Sequence, residues 1–257
     1  MAPVLKTRRE IDRLRAANAV VAEVLEAMGR LVAPGVSTWD LEEEARRILA
    51  KRGARSAFLN YRPAPDMPPY PAVLCVSVNE EVVHGIPNPK RILREGDIVS
   101  VDFGAFKEGF CGDAARTFPV GQVSEEAARL MAVTAEALER AVQAARPGNR
   151  LGDVGHAVQS HVESHGYSVV RQFVGHGIGR RMHEEPQVPN YGRPGRGLKL
   201  RPGLVIAIEP MVSVGGPEVE ILEDGWTAVT ADGSLAAHFE HSVAITEDGP
   251  VVLDVVA

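Results

Sequence analysis

Between residues 174 and 192 the chain reads VGHGIGRRMHEEPQVPNYG, which places two imidazoles, His176 and His183, seven residues apart with glycines on both sides of the first. The run from His183 begins like the zinc-binding H-E-x-x-H helix, in which two histidines four apart share one face. Here the fifth residue is Gln187, and Pro186 would break the helix that the spacing needs. Gly175, Gly177 and Gly179 make a helix through His176 equally unfavourable. The stretch reads as a strand end or tight loop where the backbone comes close to another group. From these residues alone, a solvated histidine in an ordinary Gly-rich turn competes with that reading.

Four carboxylates sharpen it. Asp102 and Glu209 sit in DIVSVDF (97–103) and LVIAIEP (204–210), β-branched runs with the look of buried sheet. Asp113 follows in GFCGDAARTF, and Glu240 in the alternating strand sequence AAHFEHSVAI. A carboxylate in such a run costs several kcal/mol unless it is paired or bound to a cation. No matching run of Arg or Lys accompanies the four in their strands, so metal ions are the natural source of positive charge. Four carboxylates and one imidazole suit a pair of divalent ions about 3.5–4 Å apart that activate a water. Oxygen-rich ligation leaves Mn, Fe(II), Co or catalytic Zn as candidates.

The elements that must position these residues occur twice. PGVSTWDLEEEARRILAKRG (34–53) aligns without gaps on PGNRLGDVGHAVQSHVESHG (147–166), pairing Pro34-Gly35 with Pro147-Gly148 and Asp40 with Asp153. Each copy is preceded by an Ala- and Glu-rich helix of amphipathic spacing, at 7–30 and 124–145. Further on, REGDIVSVDFG (94–104) aligns on RPGLVIAIEPM (201–211), pairing Asp102 with Glu209. Two duplicated α-then-β halves would set those two carboxylates at equivalent ends of central strands.

Composition bounds the rest. The 257 residues are 45% hydrophobic and 24% charged, with a net charge of −6, which fits a soluble globular protein and argues against nucleic acid as the main partner. Twenty-three arginines against five lysines, with 18 prolines, fit either heat adaptation or a GC-rich genome. Two cysteines, Cys75 and Cys111, make no disulfide framework, and no stretch reads as a signal peptide or membrane span. A cytoplasmic protein is expected.

Asp102, Asp113, His176, Glu209 and Glu240, with their surrounding stretches NEEVVHGIP, GHGIGRRMHEEPQVPNY, IEPM and FEHS, resemble in order and local sequence the metal ligands of the type I, bacterial-type methionine aminopeptidases. The resemblance runs from about residue 5 to residue 250. It implies an α/β pita-bread fold: two pseudo-symmetric halves (about 5–120 and 121–250), a central antiparallel sheet and a dinuclear metal site, within one catalytic domain spanning 1–257. It implies a metal-dependent aminopeptidase that removes the N-terminal methionine of nascent proteins and peptides when the second residue is small and uncharged. The chain's own Met-Ala start would satisfy that rule. Two divalent ions per chain (Co, Mn, Fe(II) or Zn) are implied, with Asp113 and Glu240 bridging both, Asp102 on one, and His176 and Glu209 on the other. Glu209 would also carry a proton from the attacking water to the departing amine. His183 would contact the scissile amide, and His84 would face the substrate near its methionine. From the residues alone, a structural hydrogen bond explains either histidine as well. Tyr70, Cys75, Met182 and Trp226 would line the methionine pocket, with Met211 close by, although each is also an ordinary core type. The run YRPAPDMPPYP (61–71) would form a semi-rigid loop over the pocket rim. His156, His161, His165, His238 and His241 read as surface or helix positions. A monomer without membrane or direct nucleic-acid partners is expected, with a ribosome contact left open.

Prolidases and aminopeptidase P share that fold and ligand set but carry an additional N-terminal domain, whereas here the first helices already belong to the repeat. The 25 residues between His183 and Glu209 leave no room for the helical insertion of type II enzymes. A non-catalytic peptide-binding relative is the reading from another class, and such relatives typically lose ligands that this chain retains.

Overall fold

Both copies of the PG…D segment enter their helices in the same way. The computed structural model describes residues 3–255, so the Met1-Ala2 start lies outside the described residues. Gly35 and Gly148 adopt left-handed backbone at φ 92° and 94°, a conformation that costs a side chain but not glycine. Their amides donate to the carbonyls of Leu93 and Leu200 at 2.8 and 3.1 Å, and the Leu93 and Leu200 amides donate to Val36 and Asn149, both at 2.8 Å. Asp40 and Asp153 accept from the backbone N–H of Ser37 and Arg150, each at 2.7 Å. These bonds satisfy donors that a helix start would otherwise leave bare. The duplication is therefore retained in individual hydrogen bonds, not only in the sequence of elements.

The first half contains α1 (Arg8–Leu31), α2 (Thr38–Arg52), β1 (Arg55–Ser56), β2 (Cys75–Val78), β3 (Glu81–Val83), β4 (Ile98–Lys107) and β5 (Phe110–Pro119). The second contains α3 (Glu125–Ala144), α4 (Leu151–Ser164), β6 (Ser168–Val169), β7 (Gly175–Gly177), β8 (Glu184–Val188), β9 (Val205–Ile208) and β10 (Met211–Ser213). After these come β11 (Val219–Ile221), β12 (Ala228–Thr230), β13 (Ala236–His238), β14 (His241–Thr246) and β15 (Gly249–Val252). α1 and α3 fall within a residue of the helices expected at 7–30 and 124–145. Leu14, Val21, Val24 and Met28 form the fully buried stripe of α1, and Leu130, Ala137 and Ala141 that of α3. Each large apolar side chain so buried contributes about 1.5–3 kcal/mol.

The expected antiparallel architecture is observed. In the first half β4 pairs with β1, β2 and β5, while the second half carries a sheet ordered β15-β14-β9-β7-β8. Each half has its own hydrophobic core beneath its helix pair. The halves meet where β5 passes the junction of β13 and β14. The Glu240 amide donates to Ala115 at 2.9 Å, Ser242 Oγ donates to the Asp113 carbonyl at 2.8 Å, and the His238 amide donates to Thr117 Oγ1 at 3.0 Å. Asp113 and Glu240 thus sit at the seam.

One expectation needs correction. Asp102 and Glu209 do not occupy equivalent strand ends: Asp102 lies mid-way along the ten-residue β4, whereas Glu209 lies just beyond β9, in the break before β10. Pro210 has no N–H to continue a ladder. The freed Glu209 carbonyl instead accepts from Asn190 Nδ2 at 2.9 Å, which fixes the chain at the break.

Candidate metal centre

His176 is carried on β7, a three-residue strand held between β8 and β9. A Cβ on Gly175 would lie 2.3 Å from the Ala207 carbonyl oxygen, and one on Gly177 would lie 2.2 Å from that of Glu185. The flanking glycines are therefore demanded by close backbone approach on both sides. The strand-end alternative is the one realised, and HEEPQ runs into β8, where Gln187 stands opposite His176. His176 Nδ1 donates to the Gly177 carbonyl at 3.0 Å, leaving the Nε2 lone pair free for a cation. Nε2 lies 3.9 Å from Asp113 Oδ2 and 3.7 Å from Glu209 Oε1.

Ligand atoms of Asp113, His176 and Glu240 lie within 4.8 Å of one another. Asp102 faces the same cavity, in register with Cys75 on β2. Burial pushes the Asp102 carboxyl up to about 7. Burial, and then the neighbouring carboxylates, push Asp113, Glu209 and Glu240 well above the ordinary range. Burial holds His176 down to about 3, so its ring is neutral and able to ligate. Asp102 Oδ1, Asp113 Oδ1 and Glu240 Oε1 are buried with no hydrogen-bond partner. Three orphaned carboxyl oxygens beside a neutral imidazole fit divalent cations, which would supply the charge needed to hold them ionised.

All the site residues expected from sequence open on one cavity of about 380 Å³: Tyr70, Cys75, His84, Asp102, Asp113, His176, Met182, His183, Glu209, Met211, Trp226 and Glu240. One end is acidic and the other apolar. At the apolar end the Tyr70 and Trp226 rings meet edge-on at 5.2 Å. Tyr70 is fixed by its hydroxyl, which donates to the carbonyls of Leu74 and Gly85 at 3.1 and 2.8 Å. Trp226 Nε1 donates to Pro68 at 3.1 Å and so ties down the proline-rich loop. Burial and the charge of Asp102 keep the Cys75 thiol protonated, so it serves as apolar wall. The buried Glu42 carboxylate receives the amides of Val73 and Leu74 at 2.9 and 3.0 Å, anchoring the chain as it enters β2.

His84 follows β3 at φ 63°, a left-handed conformation that is uncommon in a side-chain-bearing residue. Its ring is edge-on to Phe173 at 5.3 Å, and burial depresses its pKa to about 4. His183 stands at the cavity mouth, its ring 4.3 Å from that of His176. The Tyr61 hydroxyl lies 2.6 Å from His183 Nδ1.

Tyr61 and Met67, from the run expected over the pocket rim, line the cavity, and Phe58, Phe173 and His238 join them without having been expected there. His238 is a correction, because it is not a surface histidine. It is 2% exposed, its Nε2 lies 3.9 Å from Glu209 Oε2, and burial holds its pKa to about 3. A signal was present in AAHFEHS, since alternation puts His238 and Glu240 on the same face of the chain. His161 is also buried, near Glu136 on α3, away from the cavity.

The sequence model of metallopeptidase family M24 matches residues 12–247. The methionine aminopeptidase of Clostridium acetobutylicum is 51% identical over 97% of this chain and 98% of its own length. That of Aquifex aeolicus is 49% identical over 98% and 99%. The crystal structure of methionine aminopeptidase from Thermotoga maritima superposes with a TM-score of 0.95 at 48% identity, covering 98% of this chain and 99% of that one. The prolidase from Pyrococcus furiosus gives a TM-score of 0.79 at 24% identity, over 99% of this chain and 66% of that one, a likeness of fold alone.

Proposed function

Because the chain belongs to metallopeptidase family M24, we propose that it removes the N-terminal methionine from peptides and nascent proteins whose second residue is small and uncharged. One observation carries this reading: a cluster of unpaired carboxylates opens directly onto a pocket walled by Tyr70, Cys75, Met182 and Trp226. Aromatic faces and polarizable sulfur suit a flexible thioether. Residues 1–257 are read as one catalytic domain.

The residues would hold two divalent ions, with Asp113 and Glu240 available to both, Asp102 to one, and His176 and Glu209 to the other. Co, Mn, Fe(II) and Zn all match this donor set. Bound divalent ions supply polarisation of the scissile carbonyl and acidification of a water nucleophile. Glu209 receives the proton given up by the attacking water and returns it to the departing amine. His183, with Nδ1 engaged by Tyr61, presents its other nitrogen to the scissile amide. His84 bears on the bound methionine.

No described helix is long and apolar enough to cross a membrane. A monomer that meets nascent chains in the cytoplasm, at or after the ribosome, is part of the same reading. Release of methionine from Met-Ala-Ser but not from Met-Lys-Ser tests the proposal. Brisk cleavage of Ala-Pro peptides in place of Met-Ala-Ser would move the chain to the prolidase branch.

A further inference from the structure

Tyr61, Met182 and His183 also line a second, adjoining cavity of about 890 Å³. Its walls carry Arg55, Arg62, Lys107, Arg180 and Arg181, against one carboxylate, Glu108. That bias runs opposite to the chain as a whole, whose net charge is −6. Arg180 is neutralised by Glu10 at 3.2 Å. The other four cations, among the described residues, have no carboxylate partner. Arg55 lies over the Phe106 ring at 4.3 Å, Lys107 donates to the Arg52 carbonyl at 2.7 Å, and Arg62 and Arg181 are exposed. Like charges gathered around one concavity repel, and the field they focus favours an anionic occupant.

The two cavities share a threshold at Tyr61 and His183. A peptide whose methionine fills the first cavity, with its scissile amide beside His183, must continue outward past that threshold. An extended chain advances about 3.3–3.6 Å per residue, so its third and later residues come within reach of the basic walls. We propose that this second cavity is an extended substrate subsite that favours peptides with Asp or Glu from about the third residue onward. This inference rests on the aminopeptidase reading above and specifies its substrate class.

The test uses metal-loaded enzyme and three peptides, Met-Ala-Ser-Glu-Glu, Met-Ala-Ser-Lys-Lys and Met-Ala-Ser-Ser-Ser. At low ionic strength kcat/KM for the acidic peptide should exceed that for the basic one by about tenfold, falling towards about twofold at high salt. Combining Arg62→Gln with Arg181→Gln should bring the ratio close to one, and Lys107→Met alone should lower it part-way. Equal values for the acidic and basic peptides in the wild type overturn the inference; inhibition by poly(U) in that case would assign the cavity to nucleic acid. A preference that survives in the double variant overturns it as well. Failure to hydrolyse even the neutral peptide would instead bring down the aminopeptidase reading.

Discussion

The Tyr61 hydroxyl lies 2.6 Å from Nδ1 of His183, joining residues 122 positions apart in sequence. A phenol donating to Nδ1 leaves the proton of the neutral imidazole on Nε2, the nitrogen available to a substrate carbonyl or amide. Tyr61→Phe removes that constraint while preserving the ring contact at 5.4 Å. kcat on Met-Ala-Ser should fall about five- to tenfold, the worth of one hydrogen bond, with a smaller change in KM and unchanged metal content. An unchanged kcat would show that His183 needs no orienting partner.

The buried carboxylates make opposite predictions for the metal-free and metal-loaded protein. Without cations, burial and the neighbouring carboxylates oppose ionisation of Asp113 and Glu240, so Asp113→Asn should raise the melting temperature of the metal-free protein by about 3 °C or more. The same variant should lose most of the stabilisation that added Mn(II) gives the wild type, and at least about a hundredfold in activity. Calorimetry with and without chelator checks both signs.

Metal affinity should depend on pH in a defined direction. Binding must displace the proton that burial holds on Asp102 up to about 7, whereas His176, held down to about 3, is already neutral and releases none above pH 4. Affinity therefore rises with pH, by at least about tenfold between pH 6 and pH 8 from Asp102 alone, with further proton release from Asp113, Glu209 and Glu240, whose carboxyls burial also raises. The sign for the metal-free fold is the reverse. The Asp102 carboxyl is raised in the folded state, so its stabilising contribution is fully present below about 4 and is lost as pH climbs through about 7. Calorimetric titration of Mn(II) in two buffers at each pH separates affinity from proton release.

Gly177→Ala tests why glycine flanks the imidazole. The added methyl would meet the Glu185 carbonyl at 2.2 Å, and only a shift of β7 or β8 could relieve the clash. A loss of about 2–3 kcal/mol in stability is expected, together with weakened metal retention because His176 moves with its strand. Wild-type stability and metal content in this variant would contradict the close-approach explanation.

The candidate metal ligands are legible in the sequence because burial makes their chemistry conspicuous: Asp102 within DIVSVDF and Glu240 within an alternating strand would each pass alone for salt-bridge partners, but four such carboxylates call for a cation. The duplication was legible because Gly35, Asp40, Gly148 and Asp153 perform local tasks that demand particular residue types. Two features were hidden for physical reasons. Tyr61 acts on a residue far along the chain, and no local pattern reports such a contact. Glu209 aligns with Asp102 in the repeat, but Pro210 ends the ladder there, so the two do not share a strand position. His238 reads as a surface residue because an isolated histidine is usually solvated, whereas its shared face with Glu240 carries it into the cavity.

The most direct test is crystallographic. Crystals grown with Mn(II) and measured at an anomalous wavelength should show two strong peaks within the cavity lined by Asp102, Asp113, His176, Glu209 and Glu240. Methionine release from Met-Ala-Ser should stop on chelation and return when Mn(II) is restored. No peak among those five side chains, or undiminished methionine release after complete metal removal, would contradict a metal-dependent peptidase built on them.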